Sequence, residues 1–191
     1  MSLHIVHSGR FGAEVVAVCL GEGDALSSSV PGEKIVDSDT LWIVMGQADL
    51  GFLQATYQAR KDRPLVCAFL CARYLAITPL FGRGSPCPIC FQRRFLSMPP
   101  PGLSNEATFA LTARAGVDSG FDSWAFPPIL PAMARLWLRR QSMQNSRNAV
   151  LVDQAGLRHS YSGLTAVHGC QCRGYLVDGR RTTAFYEELF T

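Results

Sequence analysis

Apolar residues in the first half of the chain fall into short blocks divided by polar turns. Residues 3–7 (LHIVH) predict a short strand, and Ser8-Gly9-Arg10 predicts the turn that follows it. Residues 11–20 (FGAEVVAVCL) have the length and pattern of a helix, with Gly21 as its stop. Residues 22–39 mix Gly, Ser, Pro and acidic side chains and read as a loop. The continuous apolar runs 41–46 (LWIVMG) and 65–71 (LVCAFLC) predict strands buried on both faces. Between them Asp49 caps a helix over about residues 49–60, which Lys61-Asp62-Arg63-Pro64 breaks. Strand, helix and strand in alternation predict a parallel α/β sheet.

The pattern changes after Pro86. Residues 87–97 (CPICFQRRFLS) predict a cysteine knuckle running into a short helix, and 97–104 (SMPPPGLS) a linker. A helix is expected over 105–115 and a longer one over 124–145, with Pro127, Pro128 and Pro131 in its first turns, where proline is tolerated. Residues 149–153 and 157–162 predict a hairpin through Asp153-Gln154-Ala155-Gly156, which delivers the chain to HGCQC at 168–172. The tail, 173–191, is basic and then acidic and ends in the aromatic stretch YEELF; no element is assigned to it. Two units follow. Residues 1–96 form a Rossmann-like half sheet ending in the knuckle, and residues 97–191 hold helices, hairpin, closing cysteine pair and tail.

Composition narrows the class. With 191 residues, 48% apolar and 17% charged, the chain can bury a core and is not a disordered or acidic-tail protein. The low charge suggests that a partner covers part of the surface. A net charge of +3 is too mild for nucleic-acid binding, and the arginines form no long run. Apart from Lys34 and Lys61 every basic residue is arginine, which favours fixed ion pairs and carboxylate clamps. No apolar stretch is long enough for a transmembrane helix, and the start MSLHIVHSGRFGAE lacks the charged and apolar regions of a signal peptide. A cytoplasmic location is therefore expected. There the seven cysteines, an odd number, point to thiols or metal ligands rather than a disulfide framework.

Cys87-Pro-Ile-Cys90 is the sharpest motif. A two-residue spacer lets both thiolates meet one tetrahedral metal, and Pro88 stiffens the knuckle. Cys170-Gln-Cys172 offers the second pair. Zn²⁺ held by Cys87, Cys90, Cys170 and Cys172 is the leading reading, with His168 able to replace one thiol. Buried thiols and a redox pair are the alternatives. The redox reading is weaker, because this C-x-x-C does not open a helix directly after the first strand of the fold. Four thiolates would close the coordination sphere, so such a zinc staples structure and activates no water.

Other features read more simply. Cys67 and Cys71 have the i, i+4 spacing that shares a face on a helix, yet they fall in a predicted strand and are read as core residues. Ser8-Gly9-Arg10-Phe11-Gly12 sits where a Rossmann phosphate loop would, but His7 occupies the first glycine's place and no acidic residue ends a second strand downstream. A tight turn and close helix packing explain those glycines. The histidines, at 4, 7, 159 and 168, form no HExxH, and no GxSxG is present, so no catalytic residue is assigned. Asp118 and Asp122 read as solvated loop residues. Arg135, Arg139 and Arg140 lie on one side of the long helix and can grip acidic side chains of a partner, the alternative being an ordinary wet face.

Taken together, these features resemble the E1-like proteins of the ubiquitin-activating (ThiF) superfamily, and among them the zinc-bearing McbB-like subunits of microcin-B-type heterocycle synthases. The resemblance rests on TPLFGRGSPCPICFQRR (78–94), on Gly84, Pro86, Cys87 and Cys90 followed by Cys170 and Cys172, and on SDTLWIVMGQADLGFLQATYQ (38–58). It covers about residues 38–172. It implies a truncated Rossmann-like E1 fold whose second half is stapled by zinc on four cysteines. It also implies a non-catalytic scaffold role in a synthase that installs thiazole and oxazole rings in a ribosomally made, bacteriocin-type precursor peptide. The implied partners are a YcaO-domain cyclodehydratase that uses ATP, an FMN-dependent dehydrogenase, the precursor peptide and a second E1-like subunit as homo- or heterodimer. Nucleic acid and membrane are not expected as partners. The family's N-terminal leader-binding module is not expected in this chain, which leaves leader binding to a longer partner subunit or to a separate recognition protein. Two competing classes are an E1-like adenylating enzyme and a stand-alone zinc adaptor.

Overall fold

The computed structural model describes residues 2–24, 26–60, 63–71, 74–82, 85–97, 126–144, 147–164 and 170. Their elements in chain order are β1 (Leu3–Ser8), α1 (Gly9–Gly21), β2 (Leu26–Ser29), β3 (Thr40–Met45), α2 (Leu50–Ala59), β4 (Leu65–Cys71), β5 (Tyr74–Ile77), α3 (Pro88–Ser97), α4 (Leu130–Gln144), β6 (Asn148–Asp153) and β7 (His159–Gly163). The strands form one sheet in the order β2-β1-β3-β4-β5-β6-β7. β2, β1, β3 and β4 run parallel, and β4 to β7 pair antiparallel.

Every residue of β3 is buried, which is why its sequence is a continuous apolar run. Trp42 and Val44 face the cluster formed with α1 and α4, while Leu41, Ile43 and Met45 face the one formed with α2 and α3. Two ties hold α4 in place. Trp42 Nε1 donates to Ser142 Oγ at 2.9 Å, and Gln141 Nε2 donates to the Asn148 carbonyl at 2.7 Å.

The expected parallel core is present, with three differences. First, residues 22–39 are not all loop. β2 pairs parallel with β1, and its sequence LSSS hides it because its serines serve a polar purpose. His4 is fully buried and meets Ser27 Oγ through Nδ1 at 2.7 Å and Ser29 Oγ through Nε2 at 2.9 Å. Second, β5 turns the sheet antiparallel and admits the hairpin β6–β7, so strands from both sides of residue 96 share one sheet. Third, α4 begins at Leu130, not 124. Only Pro131 lies in its first turn, because a residue preceding a proline is disfavoured in the helical region and Phe126-Pro127-Pro128 holds the chain out of it. The linker beyond Ser97 and the helix over 105–115 lie outside the described residues, as do Asp118 and Asp122.

On β4 the alternation of side chains puts Leu65, Cys67, Phe69 and Cys71 on one face, all within the α2/α3 cluster. Cys67 and Cys71 are core residues as expected, and they share a face on a strand as they would on a helix. No helix of the described residues is long and apolar enough to cross a membrane.

Candidate metal centre

The knuckle sits on an aromatic platform. Leu65 and Phe81 exchange backbone hydrogen bonds of 2.9 and 2.7 Å, and Thr78 donates its N–H to the Cys67 carbonyl at 2.8 Å while its Oγ1 accepts from the Cys67 N–H at 2.9 Å. The segment entering α3 is thus fixed to β4. Pro88 opens α3 at a position where its missing N–H costs nothing, and the Phe91 N–H bonds the Cys87 carbonyl at 3.1 Å. Phe91 stacks on Phe95 at 5.4 Å and meets Phe69 and Phe81 edge-on at 6.2 and 6.1 Å. These rings press the first turn of α3 onto the sheet, so Cys90 is fully buried and Cys87 nearly so.

Cys170 arrives at this point from the far side of the sequence. Its Sγ lies 3.5 Å from Cys87 Sγ, which in turn lies 3.7 Å from Cys90 Sγ, and the three sulfurs fall within 4.8 Å of one another. Sulfurs bound at about 2.3 Å in a tetrahedral zinc site stand about 3.8 Å apart. The observed spacing therefore suits a metal ion, and an all-thiol donor set favours a soft or borderline ion such as Zn²⁺. Among the described residues this is the one such cluster of His, Cys, Asp or Glu. Cys172 and His168 lie outside the described residues.

The remaining described thiols are set apart from it. Burial pushes Cys67 well above the ordinary thiol range and Cys71 up to about 11. Burial, aided by the charge of Asp24, brings Cys19 to about 11 as well. All three are held as neutral packing groups.

The arginines separate. Arg139 and Arg140 are exposed on α4, but Arg135 is buried and clamps Asp24 through Nε at 2.8 Å and a terminal nitrogen at 3.2 Å. Its side chain is committed within this chain, so the expected three-arginine face reduces to two. Hydrogen bonds from Arg135 hold the Asp24 carboxyl below its usual range. Sequence reasoning missed Asp24, which lay in a stretch read as loop and carried no spacing signal.

The turn after β1 uses its glycines for packing. Gly9 has φ 69°, and a Cβ on Gly12 would stand 2.8 Å from the Val44 carbonyl oxygen and 3.0 Å from His7 Cβ. β2 ends at Ser29 with no acidic residue directly after it. Glu33, the next acid, accepts the Val30 N–H at 3.0 Å within the following turn.

The fold and the sulfur cluster define an α/β protein with a mixed parallel and antiparallel sheet and a thiol-rich candidate metal centre on one face. No family model matches the chain, and no curated protein matches it. Solved structures do. A chain of the E. coli microcin synthetase McbBCD complex aligns with TM-score 0.64 at 13% identity, over 90% of this chain and 68% of that one. A heterocyclase in complex with substrate and cofactor aligns with TM-score 0.58 at 12% identity, over 90% of this chain and 25% of the other. The microcin C7 biosynthetic enzyme MccB, in complex with N-formylated MccA, gives TM-score 0.55 at 10% identity over 90% and 67%. The likeness at these identities is one of fold, shared with components of microcin and heterocycle synthesis, and the chain spans about a quarter of the heterocyclase.

Proposed function

We propose that this chain is a zinc-bearing, non-catalytic scaffold subunit of a synthase that installs thiazole and oxazole rings in a ribosomally made precursor peptide. The observation that carries the reading is the convergence of Cys87, Cys90 and Cys170 on a fold shared with a chain of the McbBCD complex. Cys172, two positions after Cys170, supplies the fourth thiolate. A zinc ion in that set contributes binding energy that ties α3 to the segment carrying Cys170. With four sulfurs around it no position is left for water, so the ion is structural. The chain's own residues do the rest. Phe91 and Phe95 hold the knuckle against the sheet, and Pro88 fixes the angle at which the two thiols leave the helix start.

The partners in this reading are a YcaO-domain cyclodehydratase, an FMN-dependent dehydrogenase, the precursor peptide and a second E1-like subunit. The assembly works in the cytoplasm. Gly12 is spent on close packing against β3, and β2 ends without an acid placed for a ribose, so adenylation is not assigned to this chain.

The test is reconstitution with the proteins encoded beside this one. Omitting this chain from an otherwise complete mixture should stop ring formation on the precursor peptide, read as loss of the dehydration mass change. Ring formation at an undiminished rate without it would refute the scaffold role.

A further inference from the structure

The outer face of α4 is apolar where a surface helix is ordinarily polar. Leu136 and Met143 are 61% and 72% exposed, and Ile129, just before the helix, is 51% exposed. Ile129, Met133, Leu136, Arg140 and Met143 recur at alternating intervals of four and three, the spacing of a seam that packs against another segment. β7 extends this face. All five of its residues are exposed, and His159 and Tyr161 approach Trp137 at 5.4 and 5.5 Å. Met133, Leu136, Trp137, Arg140 and His159 together line a hollow. The charges that α4 itself brings to this face are positive, and the Asp24 carboxylate clamped by Arg135 also feels the charge of Arg139. α4 contains no acidic residue, and among the described residues no carboxylate forms an ion pair with Arg139 or Arg140.

A segment suited to this face must be apolar on one side and acidic beside it. Residues 182–191 (TTAFYEELFT), outside the described residues, have that pattern. Phe185, Tyr186, Leu189 and Phe190 recur at helical spacing, with Glu187 and Glu188 between them. Residues 171–181, between Cys170 and this segment, span up to about 36 Å when extended.

We propose that the C-terminal segment 182–191 docks on the outer face of α4 of its own chain. Phe185, Leu189 and Phe190 lie against Met133, Leu136 and Met143, and Glu187 and Glu188 meet Arg139 and Arg140. The inference stands apart from the role in peptide modification.

The experiment replaces Phe190 by p-benzoylphenylalanine in the full-length chain, irradiates it, and maps cross-links by mass spectrometry. Intrachain cross-links to residues 133–143 are expected. Reversing Arg139→Glu with Arg140→Glu should cut their yield about fivefold, and adding Glu187→Arg with Glu188→Arg should restore it. Leu136→Gln, an exposed change that leaves the fold intact, should lower the yield without any change of charge. Cross-links elsewhere, cross-links only between chains, or a yield unmoved by both Leu136→Gln and charge reversal would overturn the proposal.

Discussion

Cys170 Sγ stands 3.5 Å from Cys87 Sγ although 83 positions separate them in the chain. A metal ion joining them closes a long loop, and loop-closing links restrict the unfolded chain most when the loop is long. Cys87→Ser and Cys170→Ser are therefore expected to abolish stoichiometric zinc binding and to lower stability by several kcal/mol, about 3 or more. Cys71→Ser, whose thiol packs in the core, should keep the zinc. Metal analysis of the purified variants with their thermal melts checks both halves of this expectation.

The Asp24–Arg135 clamp predicts an acid-sensitive stability. Asp24 is held below its usual carboxylate range in the folded chain, so its contribution is fully present above the unfolded value of about 4. It fades as pH falls from there through the lower folded value. Asp24→Asn should cost about 3 kcal/mol at neutral pH, because it leaves Arg135 buried with a weaker partner, and should flatten the acid limb of the stability profile. Denaturant midpoints measured at a series of pH values give the answer.

His4 predicts a second and separate pH dependence. Burial first, and then the charge of Arg60, lower its pKa. Neutral His4 thus contributes stability above the unfolded value of about 6.5, and that contribution is lost as pH falls below it toward the folded value. His4→Gln should remove the slope between about pH 7 and pH 5. An unchanged slope in that window would place its origin elsewhere.

Gly12 tests the packing of α1 on the sheet. A methyl group there meets the Val44 carbonyl oxygen at 2.8 Å and His7 Cβ at 3.0 Å, both on strands that cannot easily give way. Gly12→Ala is expected to cost about 1–3 kcal/mol. Thermal melts of Gly12→Ala beside Gly21→Ala, whose added carbon meets nothing within 4 Å, separate crowding from helix propensity.

What could be read from sequence follows from how each segment is buried. β3 and β4 are covered on both faces, so their runs of apolar residues announce them. β2 is a run of serines because two of them serve the ring of His4, and polarity of that kind looks like loop. β5 is four residues long and too short to show a period. The cysteine spacing pointed to one cluster, and the structure brings Cys87, Cys90 and Cys170 together. The arginine spacing on α4 placed three side chains on one side but carried no trace of Asp24, whose position depends on where α1 ends and β2 begins. Local pattern records an element's own burial. It does not record a partner more than a hundred positions away.

The most direct test of the central claim is native mass spectrometry of the chain co-expressed with the proteins encoded beside it. The account predicts one zinc ion per chain, within an assembly that also contains a YcaO-domain protein. A metal-free chain, or a zinc-bearing chain that stays apart from that protein, would contradict it.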